Sequence, residues 1–282
     1  MNSKTKGILC IVTAAFCFAF MSLCVRLAGD LPSMQKILFR NLLAFFIVGA
    51  GLVRKPEKLE IHKGDLKFLF LRSICGTVGI VCNFYAIDHL VLSDANMLNK
   101  LSPFFTIIFS YFLLKERLTL FQGIAVVVAL FIIKPTGNMT DPAALIGMLG
   151  GAGAGAAYSF VRVLGKRGVN GKLIVMFFSA FTCVFALPFL IGHFAPMKWW
   201  QVAAMIGAGF GGAGGQIFVT KAYFYAPAKE ISVFDYSQIM FSALMGFLVL
   251  GQKPDMLSLC GYMIICTTAV CMYFYNKNRR TL

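Results

Sequence analysis

The chain has 282 residues, of which 59% are hydrophobic and only 13% charged. A soluble domain stands nearer half apolar and a quarter charged, so the polar coat that a water-soluble fold of this length needs is missing. Lys and Arg outnumber Asp and Glu by 26 to 11, yet the basic residues sit in short clusters between apolar runs. That pattern excludes the nucleic-acid reading a basic chain invites and matches the loops of a membrane protein.

A helix needs about 20 apolar residues to cross the hydrocarbon core. Runs near that length predict ten transmembrane helices, at 7–28, 34–53, 66–88, 92–114, 119–134, 143–164, 172–192, 199–222, 229–250 and 256–275. The first run, Gly7 to Val25, follows Lys4 and Lys6 as a signal peptide would. It is longer than a typical signal core and no small-x-small site follows it, so it is read as a retained span. The fifth run is short, and Ala226-Pro227-Ala228 divides the eighth from the ninth.

Loop charge sets the orientation. With a cytoplasmic N-terminus, the inside segments collect Lys4, Lys6, Arg54, Lys55, Lys115, Arg117, Lys166, Arg167, Lys277, Arg279 and Arg280, among others. The outside keeps little beyond Lys134, Lys198 and Lys253. Both termini are therefore expected in the cytoplasm.

The chain also repeats itself. A shift of 136 residues lays Gly76 on Gly212, Gly79 on Gly215, Ala86 on Ala222, Phe105 on Phe241 and Leu114 on Leu250. A shift of 140 lays Gly7 on Gly147 and Arg26 on Lys166. Two units of five spans follow, residues 1–140 and 141–282. An odd number of spans turns the second unit upside down, the inverted-repeat plan of many secondary transporters. Glycines four apart, at 147, 151 and 155 and at 207, 211 and 215, predict helix faces that pack closely in lipid. Nine cysteines show no metal-ligand spacing. Cys10, Cys17 and Cys24 recur every seven residues and read as small packing residues. No cofactor is expected.

Charged side chains deep in a span cost about 2.5–3.5 kcal/mol on insertion scales, so they face a partner or water. The informative ones are Arg40, Lys100 and Asp235. Asn96, Asn99, Lys100 and Pro103 share one face of the fourth span by their i, i+3, i+4, i+7 spacing. Their equivalents at the 136-residue shift are Ser232, Asp235, Tyr236 and Ile239. A pseudo-two-fold axis would bring both polar faces to one midplane cavity. There Lys100 and Asp235 either hold the two ends of a zwitterion or pair with each other as a structural ion pair. Met21, Ser22, Asn83, Tyr158, Arg162, Gln216 and Thr220 are further candidates to line that cavity. Arg40 either guides anions or reaches the outer headgroups. Arg72 and Lys221 are expected to extend toward the inner interface. Asp88, Asp94 and Glu230 are expected to cap helix ends. Pro103 frees a carbonyl four residues earlier and is a candidate hinge.

Three passages carry a family resemblance: Phe39-Arg40-Asn41; Asp94-Ala95-Asn96 through Ser102-Pro103-Phe104 to Lys115-Glu116-Arg117-Leu118; and Gln238 through Gly251-Gln252 to Gly261. On these the chain resembles EamA-type members of the drug/metabolite transporter superfamily over nearly its whole length. The resemblance implies a ten-helix inverted-repeat carrier with a central cavity, alternating access, and cargo among amino acids, related metabolites and nucleoside-like compounds. Lys115 departs from the family's usual Gly and Gln252 from its frequent Glu, which puts a charge role at the latter in doubt. Arg40 with Phe84-Tyr85-Ala86 looks most like the subgroup that includes S-adenosylmethionine carriers.

The expected function is thus a carrier of a small polar metabolite in the inner membrane. An amino acid or similar zwitterion is favoured, packed by Tyr236, Tyr158 and Phe18. S-adenosylmethionine or a nucleoside-like compound is the alternative. An intramembrane enzyme is the competing class, and the chain lacks a paired Asp, a Ser/His dyad or HExxH for it. Asp235 is the first candidate for proton coupling.

Overall fold

The computed structural model describes residues 3–54, 61, 64–114, 142–226, 231, 234–252, 256, 263, 267 and 270. The predicted fifth span, most of the tenth, Ser232, Glu230 and the Lys115–Leu118 passage lie outside the described residues.

The described residues are helical, with no strand among them. In chain order the helices are α1 (Ser3–Leu27), α2 (Ser33–Arg54), α3 (Asp65–His89), α4 (Leu92–Asn99), α5 (Ser102–Leu114), α6 (Pro142–Lys166), α7 (Gly171–Leu190), α8 (Trp199–Tyr225) and α9 (Ser237–Leu250). Six of them, α1, α2, α3, α6, α7 and α8, are long and apolar enough to cross a membrane, while α9 is apolar but shorter. Their outward faces expose Phe46, Leu149, Val184, Phe210 and Phe247. In water such side chains would be a liability; in lipid they meet a solvent as apolar as themselves.

Helix pairing follows the small residues. α1 runs along α8, and α3 runs along α6. α2 packs on α7, and α4 on α9. On α8, a Cβ at Gly211 would lie 2.8 Å from the Cys17 carbonyl oxygen, and one at Gly207 2.9 Å from Cys24 Sγ. On α6, a Cβ at Gly153 would lie 2.8 Å from the Cys75 carbonyl oxygen, and one at Gly151 2.7 Å from that of Leu98. Any larger residue would push these backbones apart, so the glycine rows and the cysteines beside them are packing surfaces.

The fourth span is not one helix. It breaks at Lys100-Leu101 into α4 and α5. The Lys100 amide donates to both the Asn96 and Met97 carbonyls, at 3.1 and 3.0 Å, and Leu101 tightens into a three-residue turn on Leu98 at 3.1 Å. The helix restarts at Ser102, so Pro103 sits in a first turn, where its missing N–H leaves nothing unmade. The expected kink around Pro103 is therefore a full interruption placed just before it. In the ninth span Phe234 and Asp235 are helical, Tyr236 is a turn, and the helix resumes at Ser237. No proline drives that second break.

One end of the bundle is tied by hydrogen bonds between distant segments. Gln35 Nε2 donates to the Ala195 carbonyl at 2.9 Å, and the Ala195 amide returns a bond to Gln35 Oε1 at 3.0 Å. Gln201 Nε2 donates to the Ala28 carbonyl at 2.9 Å. Asp88 does not cap its helix as expected. It lies at the C-terminal end of α3, where a carboxylate opposes the helix dipole, and instead takes Lys36 Nζ at 2.6 Å and Ser33 Oγ at 2.9 Å. At the other end Arg167 meets Asp65.

Candidate functional site

Interruption of a helix in lipid leaves backbone and side-chain polar groups facing inward, where they need partners. Both interruptions meet here. Lys100, the residue that ends α4, donates through Nζ to Asp235 Oδ2 at 2.7 Å. Both side chains are almost wholly buried. Their attraction offsets the cost of taking two charges out of water.

Beside this pair is a cavity lined by Arg40 from α2, Arg72 and Asn83 from α3, Asn99 and Lys100 from the first interruption, Tyr158 from α6, and Gln216 from α8. Its volume is about 60 Å³. Pockets that enclose a metabolite run to about 300–1,000 Å³. The cavity is thus smaller than one that encloses a metabolite.

Arg40 and Arg72 reach the cavity because glycines make room for them. A Cβ on Gly212 would collide with the Arg40 guanidinium, and one on Gly76 would come within 2.8 Å of Arg72 Nη1 and 2.9 Å of the Phe178 ring. Both guanidiniums lie over that same ring, Arg72 Cζ at 3.7 Å and Arg40 Cζ at 5.9 Å from its centroid. Arg72 Nη2 donates to Gln216 Oε1 at 2.8 Å, and Arg40 Nη1 to Asn41 Oδ1 at 2.7 Å. Each is 1% exposed. Arg72 thus does not extend to the inner interface as its position near the start of α3 suggested; the ring and Gln216 hold it inward. Arg40 does not reach headgroups either.

The remaining expected positions separate. Tyr158 lines the cavity and stacks on Tyr223 with ring centroids 5.3 Å apart. Asn99 and Gln216 line it as well. Asn96 is committed elsewhere: its Oδ1 accepts from Ser22 Oγ at 3.0 Å and from Gln238 Nε2 at 2.7 Å, while its Nδ2 donates to Leu92 O at 2.8 Å. It ties α1, α4 and α9 together. Tyr236 is buried against Phe104, ring centroids 6.2 Å apart, and stands outside the cavity lining. Arg162 and Thr220 line other hollows, toward the ends of α6 and α8. Sequence reasoning missed Phe178, the platform for both arginines, and Gln238. The spacing Arg72–Gly76, one helical turn, was the available signal for an inward arginine.

The comparisons with known proteins bear on this arrangement. The model of the EamA-like transporter family matches the chain twice, over residues 5–133 and 145–274. The chain is 30% identical over 276 residues to the pseudopaline exporter CntI of Pseudomonas aeruginosa, covering 95% of each. It is 28% identical to an uncharacterized transporter of Helicobacter pylori, covering 94% of each. It is 23% identical to human solute carrier family 35 member G1, over 94% of this chain and 78% of that one. A solved crystal structure superposes with a TM-score of 0.70 over 97% of this chain and 98% of that chain, at 17% identity, a likeness of fold alone.

Proposed function

The chain belongs to the EamA-like transporter family, and from that premise we propose that it is a secondary carrier which moves a small polar metabolite across a bacterial-type inner membrane by alternating access. The observation that carries this reading is the polar cavity at the meeting of two interrupted helices, inside a bundle whose outer faces are apolar. Charge this deep has a cost that a purely structural bundle has no reason to bear, and it marks a pathway.

The layout we assign is ten helices in two inverted five-helix units, residues 1–140 and 141–282, with both termini cytoplasmic. Two features support it. Under the repeat, α1 corresponds to α6 and α3 to α8, so the α1–α8 and α3–α6 pairings are one contact made twice. The interruption at Lys100 recurs 136 positions later at Tyr236.

The cargo is an amino acid or similar zwitterion, with Lys100, Asp235, Arg40, Tyr158, Asn99 and Gln216 as its contacts. S-adenosylmethionine is the alternative, favoured by the aromatic faces of Tyr158 and Phe178 that a sulfonium cation would meet. Three inward cations against one carboxylate weigh against it. Likeness to an exporter favours outward movement. We assign proton coupling to Asp235; uptake that ignores an imposed pH gradient removes that assignment. The test is counterflow of a labelled metabolite panel in proteoliposomes of the purified chain. Saturable exchange that Lys100→Ala abolishes supports the reading, and a panel without exchange contradicts it.

A further inference from the structure

Among the described residues the charges facing the cavity do not balance. Arg40, Arg72 and Lys100 line it, and Asp235, bonded to Lys100, is the carboxylate that answers them. Neither Arg40 nor Arg72 forms an ion pair among the described residues. Arg40 Nε, Arg72 Nε and Arg72 Nη1 are buried N–H donors with no hydrogen-bond partner among the described residues, and each side chain is only 1% exposed. A buried guanidinium has five donors in a planar fork and cannot shed its proton, so it cannot escape by neutralising itself. Two such forks stand near one aromatic ring, within the sum of 3.7 and 5.9 Å of each other. Phe178 attracts both but supplies no acceptor lone pair and no compensating charge.

A carboxylate is the group that fits this need, because its two oxygens accept the fork's parallel donors and its charge cancels the cation's. Resting on the carrier reading above, we infer that the cargo bears at least two carboxylates, one for each of Arg40 and Arg72. Lys100 and Asp235 then open onto the rest of the molecule. The Asn83 amide oxygen, also buried without a hydrogen-bond partner, accepts an N–H or O–H from the carbon chain between the carboxylates. The class is therefore a small amino- or hydroxy-dicarboxylate, and the cavity selects it over a neutral zwitterion by charge.

The experiment sets aspartate against its isostere asparagine, which lacks one charge, with a hydroxy-dicarboxylate, a small zwitterion and a sulfonium compound beside them. Aspartate, malate, asparagine, alanine and S-adenosylmethionine are titrated against the purified full chain by thermal shift and by competition for uptake in proteoliposomes. Aspartate or malate is expected to act at a concentration at least about tenfold lower than asparagine. Arg72→Gln removes that preference, and Arg72→Lys, which keeps a cation, retains part of it. Asparagine, alanine or S-adenosylmethionine acting as well as aspartate overturns the dicarboxylate while leaving a carrier. Silence from all five compounds, with saturable uptake from a total metabolite extract, overturns it in the same way. No uptake from the extract ends both readings.

Discussion

Lys100 and Asp235, 135 positions apart in the chain, meet at 2.7 Å where two runs of helix are each interrupted. The pair joins the two matched segments of the chain at the wall of the cavity. Its energetics separate a structural bond from a working one. Removing one partner strands the other charge in a dry interior and costs about 3–5 kcal/mol, whereas replacing both with apolar groups of similar size is near neutral. Lys100→Met and Asp235→Leu alone should each lower the melting temperature in detergent. The double variant should recover most of that loss and still fail to transport. Transport by the double variant at the wild-type rate would mark the pair as a structural bond only.

Arg72 makes the opposite trade. Its charge is buried and lacks an anion among the described residues, so replacement by an apolar residue relieves a desolvation cost. Arg72→Met is expected to melt at or above the wild-type temperature without ligand, and to lose ligand-dependent stabilisation. A large drop in the unliganded melting temperature would show that its contacts with Phe178 and Gln216 are what the chain keeps it for.

Gly212 and Gly76 seat the arginines. A methyl at either position collides with a guanidinium, and overpacking of this kind costs about 1–3 kcal/mol. Gly212→Ala and Gly76→Ala should weaken cargo binding through displacement of the arginine. Gly49→Ala on α2, where a Cβ meets nothing within 4 Å, is the control and should bind normally. Equal binding in all three would detach the glycines from the site.

The Gln35 clasp closes one end of the bundle through a reciprocal pair of bonds with the Ala195 backbone. Gln35→Ala leaves an amide and a carbonyl unpaired, a loss of about 1–3 kcal/mol where they are shielded from water. Amide exchange at Ala195 should quicken in that variant, while exchange in the middle of α6 stays unchanged. Unaltered exchange at Ala195 would show that the clasp does not hold that end.

Hydropathy alone located α1, α2, α3, α6, α7 and α8 to within a few residues, because a span in lipid must be apolar for a set length. It did not place the break at Lys100-Leu101, because polar residues on one face of a helix, here Asn96, Asn99 and Lys100, are read as a cavity lining and not as an end of the helix. The 136-residue shift puts Lys100 and Asp235 on matching faces, and the two side chains meet in the structure. The arginines were harder. A basic residue near a helix end usually reaches for headgroups, and the contacts that turn Arg40 and Arg72 inward, above all the Phe178 ring and Gln216, come from helices distant in the sequence. Asn96 was legible as a buried polar residue but not as an occupied one, because its partners Ser22 and Gln238 come from other helices. Gln252 Oε1 accepts the Leu92 amide at 3.3 Å at the start of α4, a bond that a glutamate would make as well, and nothing in the structure explains the departure.

The most direct measurement is ligand-dependent melting of the wild type beside the Lys100→Met/Asp235→Leu double variant. A ligand that binds only the folded state raises the midpoint by an amount set by its concentration over its Kd. The account predicts that a metabolite which stabilises the wild type leaves the double variant unmoved. Equal stabilisation of both proteins would place the ligand somewhere other than this cavity and contradict the account.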